Sequence, residues 1–237
     1  MKYEITENSA RISEVFSSLQ GEGTHLGERH LFVRFEECHI HCEYCDELDK
    51  VGTVKSRSQL LAEVIQFEKN DGPHAYVSLT GGEPLLYLKF LKPFLAELKQ
   101  AGFKTYLETN GILWKALSEV IHNCDCIAMD MKPASVTGEK CFDDDHLKFL
   151  EIAQTKEVFV KFVLSKKIDP NEFLEELNII HRINPKIPVV LQPISELIEG
   201  HEDPELMSRL DELQKLGAKM VESIRIVPRF HKILKIR

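Results

Sequence analysis

The stretch HLFVRFEECHIHCEYCDE (30–47) sets the organisation of the chain: a strand-like run empties into a short loop carrying Cys38, Cys42 and Cys45. The same order of apolar run, polar loop and amphipathic stretch repeats downstream. Strand-like runs recur at AYVSLT (75–80), KTYLET (104–109), CIAMDM (126–131), VFVKFVL (158–164), PVVLQPI (188–194) and SIRIV (223–227). Between them lie SRSQLLAEVIQFEKN (56–70), LKFLKPFLAELKQAG (88–102), ILWKALSEVIHN (112–123), DDDHLKFLEIAQ (143–154), NEFLEELNIIHRI (171–183) and PELMSRLDELQKLG (204–217). Leu60, Leu61, Val64 and Ile65 show the spacing of a helix that buries one face. Gly102 and Gly217 stand where helix C-caps are expected. Six alternating βα units imply an α/β fold with a parallel sheet and helical crossovers. A closed eight-unit barrel takes about 250 residues. Six units behind a lead-in over 1–29 therefore predict a partial (β/α)6 TIM-like open barrel, with a flat doubly wound sheet as the rival.

In either architecture, catalytic groups gather at the carboxyl ends of the strands. The unusual residues stand there. ECHIHCEYCDE (37–47) follows the first run, TGGEP (80–84) the second, ETNG (108–111) the third and DMKPAS (130–135) the fourth; LQPIS (191–195) ends the sixth and PRFHK (228–232) follows the last. If the strands are parallel, these segments share one face.

Composition narrows the function classes. The chain has 237 residues, 43% apolar and 29% charged, which suits one large soluble domain or two small ones; the motifs at successive strand ends favour a single domain over 1–237. A net charge of −8 argues against a protein that coats nucleic acid. Six cysteines in a chain of this length are too sparse for a secreted disulfide scaffold. The start, MKYEITENSA, has no apolar h-region, and PLLYLKFLKPFLAEL (84–98) is too short and too charged to span a bilayer. The expectation is a cytoplasmic protein with no membrane or nucleic-acid partner, in which clustered thiols mean metal.

Cys38-x3-Cys42-x2-Cys45 is a three-thiolate set. Zinc motifs normally supply two separated pairs, and His39 and His41 are poorly placed inside the loop to complete a tetrahedron. Three thiolates suit three corners of a 4Fe–4S cube and leave one iron open. A structural zinc or simple free thiols stay open as alternatives.

The cysteine spacing, with Tyr44 before the last Cys, and the segment Gly81-Gly82-Glu83-Pro84 resemble the radical S-adenosylmethionine (SAM) superfamily. The flanking segments SLQGEG (18–23), FVRF (32–35), YCD (44–46), ETNG, DMKP, KFV (161–163), LQP and PRFHKIL resemble one branch of it, the 7-carboxy-7-deazaguanine synthases of 7-deazapurine (queuosine) biosynthesis, over about residues 12–237. The resemblance implies a radical-SAM-type open barrel and a lyase that converts 6-carboxy-5,6,7,8-tetrahydropterin to 7-carboxy-7-deazaguanine with loss of ammonia. The implied cofactors are a 4Fe–4S cluster on Cys38, Cys42 and Cys45, SAM, and Mg2+. The implied SAM site comprises Tyr44, Gly81, Gly82, Glu83, Glu108, Asn110, Asp130, Met131, Lys132, Gln192, Pro193, Ile194 and Ser195. Glycines there allow close main-chain approach, and Glu83 offers an acceptor to an ammonium. The implied pterin site comprises Leu19, Gln20, Gly21, Glu22, Arg34 and Thr80, with Arg34 as the planar bidentate donor for the carboxylate. An electron donor of flavodoxin or ferredoxin type and a homodimer are further expectations of the resemblance.

The chain departs from the family pattern twice. Glu47 stands where the family has a magnesium-contacting Thr, and Arg229 where it has Gln. A carboxylate is itself a hard oxygen ligand for magnesium, whereas Arg donates only. The segments 1–29, 30–195 and 196–237 read as lead-in with substrate loop, βα core and C-terminal extension. Cys124, Cys126 and Cys141 read as structural thiols, Asp143–Asp145 as a helix N-terminus rather than a metal site, and Trp114 as core. An activase for a glycyl-radical enzyme and a non-enzymatic iron–sulfur or zinc module are the alternatives.

Overall fold

The structure, a computed structural model, describes residues 7–45, 50–194 and 203–233. The chain opens with β1 (Ser9–Leu19) and β2 (Arg29–Phe35), which pair antiparallel, and β3 (Thr53–Ser56) adds to the far side of β1. Alternation follows: α1 (Arg57–Asp71), β4 (Tyr76–Gly81), α2 (Leu88–Gln100), β5 (Thr105–Thr109), α3 (Trp114–Val120) and β6 (Cys126–Met131). Then come the one-turn α4 (Ala134–Thr137), α5 (Asp143–Ala153), β7 (Glu157–Leu164), α6 (Pro170–Ile183), β8 (Val189–Pro193), α7 (Pro204–Gly217), β9 (Ile224–Ile226) and the short α8 (Phe230–Ile233). Among the described residues, no helix is long and apolar enough to cross a membrane.

Strand order decides between the two architectures. The sheet runs β3-β1-β2-β4-β5-β6-β7-β8-β9, and every pair from β2 onward is parallel. A doubly wound sheet reverses its order at a switch point; this one does not. The helices touch in sequence, α1 to α2, α2 to α3, α3 to α5, α5 to α6 and α6 to α7, as one outer layer. Val33, Leu79, Leu107, Met129, Val160 and Leu191 pack outward against Leu60, Phe90, Leu117, Phe149, Phe173 and Leu210 in one core. No pairing joins β9 to β3 among the described residues, so the barrel is an open arc.

Side chains alternate across each strand, and the inner face changes character along it. Toward the amino ends, Tyr106, Cys126, Ala128, Phe159 and Val190 form a small apolar plug. Two residues further along the same strands stand Glu108, Asp130, Lys161 and Gln192, joined by Arg34 on β2 and Thr80 on β4. One pleat repeat thus converts a packed floor into a polar pocket at the carboxyl ends.

The lead-in differs from expectation, because residues 9–19 are a strand rather than a loop. A register shift between Ile12 and Glu14 explains why its pattern is hidden. Ala10 and Ile12 face the helices, but beyond the bulge Glu14 and Phe16, at the same parity, face the pocket. A bulge of this kind breaks the two-residue period on which strand recognition depends. Gly217 also departs from its expected role: it is the last residue inside α7, and Ala218 caps the helix. A Cβ at Gly217 would stand 2.6 Å from Ile224 Cδ1, so the glycine lets α7 lie close on β9. Gly102 does adopt the left-handed conformation just past α2, with φ of 89°.

Candidate active site

The loop after β2 puts Cys38, Cys42 and Cys45 on one wall of the pocket, none in a disulfide. Their loop is held from behind: Ile40 and Cys42 pack with Ile112 and Phe142, Glu43 N–H donates to Thr137 O (3.0 Å), and His41 N–H donates to Glu139 Oε1 (2.6 Å). Among the described residues, no group of three ligand atoms within 4.8 Å of one another includes any of these thiols. A mononuclear zinc would draw its ligands onto one point, so the wider set fits the corners of a cluster better. Burial pushes the Cys38 and Cys42 thiols up, so binding iron there must displace their protons. Asn110 Nδ2 approaches Cys38 Sγ at 3.9 Å.

The glycines of the second loop serve the first. A Cβ on Gly81 would stand 2.3 Å from Phe35 O, and one on Gly82 would stand 2.1 Å from Glu37 O. Gly82 N–H donates to Phe35 O (2.8 Å) and Glu83 N–H to Glu37 O (2.7 Å), which seams this turn to the start of the cysteine loop. Glu83 is fully buried rather than on the pocket wall. Its carboxylate accepts from Leu85 N–H (3.0 Å), Thr109 Oγ1 (2.9 Å) and Asn110 N–H (2.8 Å), bracing the turn against the end of β5. Burial pushes its carboxyl up to about 7 despite those donors.

A chain of charges crosses the pocket. Lys132 Nζ donates to Asp130 Oδ2 (2.9 Å) and to Tyr44 Oη (3.4 Å); Lys161 Nζ reaches Asp130 Oδ1 (3.2 Å) and Glu22 Oε2 (2.5 Å). Arg229 Nε stands 3.3 Å from Glu22 Oε1. Burial alone would raise Asp130, but Lys132 and Lys161 hold its carboxyl below the usual range. Burial would likewise lower the two lysines, and Asp130, with Tyr44 beside Lys132 and Glu22 beside Lys161, raises them instead. Asp130, Lys132 and Lys161 are therefore ionised at neutral pH.

The pocket has a second lobe lined by Phe16, Leu19, Gln20, Gly21, Glu22, Phe32, Arg34, Thr80 and Glu108. All six residues read as pterin-binding line it. Glu22, Arg34, Thr80 and Glu108 also line the cysteine-bearing lobe, so the two share a wall. Phe16 and Phe32 stack at 4.9 Å with an interplanar angle of 12°. The Arg34 guanidinium lies 5.2 Å over Phe16 and 3.4 Å from Glu14 Oε2, which fixes its plane. Glu108 accepts from Gln20 Nε2 (3.0 Å) and Thr80 Oγ1 (2.7 Å), and burial pushes its carboxyl up.

Of the residues read as SAM-binding, Tyr44, Gly81, Gly82, Glu108, Asn110, Asp130 and Lys132 line the pocket. Met131 instead lies in the helix-side core, and Pro193 is buried in β8, paired with Leu164 of β7. Ile194 lines an adjoining groove with Tyr44. Gln192 is buried on the inner face with neither amide atom hydrogen-bonded, next in register to the pocket-lining Val163. Glu47, Ser195 and the side chains of His231 and Lys232 lie outside the described residues. Phe16, Thr109, Lys161 and Val163 were not among the expected site residues. Lys161 had a visible signal, a lone charge inside the apolar run VFVKFVL; Phe16 was hidden by the bulge. Cys124 and Cys126 are buried as expected, whereas Cys141 is exposed. Trp114 is half-buried against the core with Lys115 and Lys148 over its ring.

The superfamily model for the Radical SAM superfamily matches residues 32–164. The 7-carboxy-7-deazaguanine synthase of Geobacter sulfurreducens is 33% identical over 252 residues, covering 97% of this chain and 99% of the relative. That of Archaeoglobus fulgidus is 31% identical, covering 96% and 99%. The crystal structure of QueE from Escherichia coli has a TM-score of 0.64 at 21% identity, covering 94% of this chain and 95% of that one, which bears on the fold alone. With the thiol loop, the glycine seam and the two-lobed pocket all at the carboxyl ends of an open barrel, the chain belongs to the radical SAM superfamily and, within it, to the 7-carboxy-7-deazaguanine synthase family.

Proposed function

We propose that this chain is a radical SAM lyase that converts 6-carboxy-5,6,7,8-tetrahydropterin to 7-carboxy-7-deazaguanine with release of ammonia. The observation that carries this reading is the shared wall: a lobe with three free thiols opens through Arg34, Thr80, Glu108 and Glu22 into a lobe with a flat aromatic side and one oriented guanidinium. Cys38, Cys42 and Cys45 would hold the 4Fe–4S cluster, and Gly81, Gly82, Asn110 and Asp130 lie where SAM would reach it. When bound, these groups supply a 5′-deoxyadenosyl radical that takes a hydrogen atom from the substrate.

The protein's own part is positioning. Arg34 offers parallel N–H donors to the substrate carboxylate, and the Phe16–Phe32 stack gives the fused ring a flat apolar surface. Gln20 and Thr80 orient Glu108, an acceptor for ring N–H groups. The 19–22 loop is held over the lobe by Lys161 and Arg229 at Glu22, and by Phe230 N–H donating to Gly21 O (2.9 Å). Such fixing of both reactants can supply a large share of a rate enhancement. Gln192, buried with free amide groups, suits an edge of the cofactor's base.

The same reading includes magnesium, supported by a hard carboxylate at Glu47 two residues past Cys45. It also includes a homodimer, a flavodoxin- or ferredoxin-type reductant and a cytoplasmic setting. The test is anaerobic reconstitution, then incubation with the pterin, SAM and dithionite, with and without Mg2+. Mass-spectrometric appearance of the deazaguanine is expected. Cleavage of SAM without any deazaguanine would overturn the substrate assignment.

A further inference from the structure

A second set of ligand atoms lies outside that pocket, where α5 meets α6. Asp143 and His146, three residues apart in the first turns of α5, share one side of the helix, and Glu176 meets them from α6. One ligand atom from each of Asp143, His146 and Glu176 lies within 4.8 Å of the other two, and Asp143 Oδ1, His146 Nδ1 and Glu176 Oε2 are each buried without a hydrogen-bond partner. His146 is 0% exposed and Glu176 2%. Buried polar atoms are nearly always paired, so three orphans aimed at one point need a common occupant.

The chemistry of the occupant follows from what these atoms offer. His146 Nε2 lies 3.2 Å from Asn110 O, and a carbonyl only accepts, so Nε2 carries the proton and Nδ1 presents a lone pair. Burial keeps the imidazole neutral, lowering its pKa to about 4. The two carboxylates present lone pairs as well. A water has two protons for three acceptors. Burial and the nearby Asp143 carboxylate push the Glu176 carboxyl up to about 9, so a cation entering the cluster would displace the Glu176 proton. Ligand bonds of about 2.0–2.2 Å leave donor atoms about 3–4 Å apart, so ligand atoms already within 4.8 Å of one another need only a small inward shift to meet one ion.

We propose that Asp143, His146 and Glu176 form a site for a divalent transition cation, zinc by its ligand chemistry, separate from the cysteine loop. One imidazole and two carboxylates, with the exposed Cys141 thiol against Asp143 at the rim, suit zinc better than the all-oxygen preference of magnesium or calcium. The half-exposed Asp143 leaves an entry path. The Asn110 carbonyl behind His146 is the usual outer partner of a metal-bound imidazole. Asn110 also approaches Cys38 and donates to Glu83, so an ion here would brace the back of the pocket by pinning α5 to α6.

The inference does not depend on the substrate assignment, and its readout is metal content. Full-length protein with its cluster reconstituted is incubated anaerobically with equimolar ZnCl2, desalted and analysed for zinc and iron. One zinc per chain beside a full iron complement is expected, with a rise in melting temperature on zinc addition. Glu176→Gln and Asp143→Asn should each weaken zinc binding at least tenfold while iron content and cluster absorbance persist. Should Glu176→Gln fail to fold, Asp143→Asn at the rim carries the comparison. Equal zinc in the wild type and both variants would place the metal elsewhere and overturn the site. So would a wild type with a full cluster that takes no zinc and shows no thermal response, which would mean a water-filled or protonated pocket.

Discussion

Replacing Gly82 with alanine tests whether the glycine turn exists to hold the cysteine loop. The new Cβ would stand 2.1 Å from Glu37 O and 2.4 Å from the Glu37 carbonyl carbon, both main-chain atoms that no rotamer change can move. An ordinary C···O contact is about 3.3 Å, so the turn and the loop must part by about 1 Å. Two hydrogen bonds cross that seam, to Phe35 O and Glu37 O. Each contributes about 1 kcal/mol, and the residual strain costs about 1–3 kcal/mol, for a loss of about 3–5 kcal/mol. A misplacement of about 1 Å at a reacting centre lowers rate about a hundredfold. Gly102→Ala is the matched control: φ is 89°, but nothing lies within 4 Å of the added Cβ. It should cost only the left-handed strain of about 1–2 kcal/mol. The assays are denaturant melts, iron per chain after reconstitution, and 5′-deoxyadenosine formation from SAM. Gly82→Ala should lose cluster and cleavage, and Gly102→Ala should lose neither. Gly82→Ala with wild-type melting and iron loading would refute the close-approach argument.

Arg34→Lys keeps the charge but loses the planar fork; steady-state kinetics should show KM for the pterin raised about 10- to 100-fold, while cleavage of SAM without substrate is retained. Unchanged KM would remove Arg34 from the carboxylate site. Lys161→Met leaves Glu22 and Asp130 short of a buried cation. Because Arg229 and Lys132 still reach them, the loss in a denaturant melt should fall at the low end of about 3–5 kcal/mol, and Glu22→Gln in the same chain should recover part of it. Glu83 supplies the pH test. Burial raises its folded pKa to about 7 from the ordinary 4.5, so between those values the folded state holds a proton that the unfolded state has lost. Stability should therefore fall as pH rises across that window, by up to about 1.4 kcal/mol per unit. Glu83→Gln should flatten that slope in melts from pH 4.5 to 8; an unchanged slope would assign it to other groups.

The parallel strands were legible because strands covered on both faces are long apolar runs with loops at regular intervals. The helices were legible for a related reason: with one side on the sheet and one in water, they keep a 3.6-residue period. β1 was not legible, since its bulge swaps faces halfway and its pocket-side half alternates Phe16 with serines. Most of the expected site residues do reach the pocket, as loops at the carboxyl ends of parallel strands must. Met131 and Glu83 show the limit of motif reading, because neighbours in a motif point to opposite sides of the sheet or turn inward.

The linear order of residues alone determined what is local: the spacing of three thiols, the turn that only two glycines can make, and the alternation of strands and helices. Tertiary structure decided what depends on non-local packing. It chose an open arc over a doubly wound sheet, because the helices lie in one layer on one face. It made the Gly81–Gly82 turn a seam to the cysteine loop. It also brought Glu176 to Asp143 and His146 across two helices. A periodic pattern says that a strand has two faces, but only the packed chain says which face meets the helices and which lines the pocket.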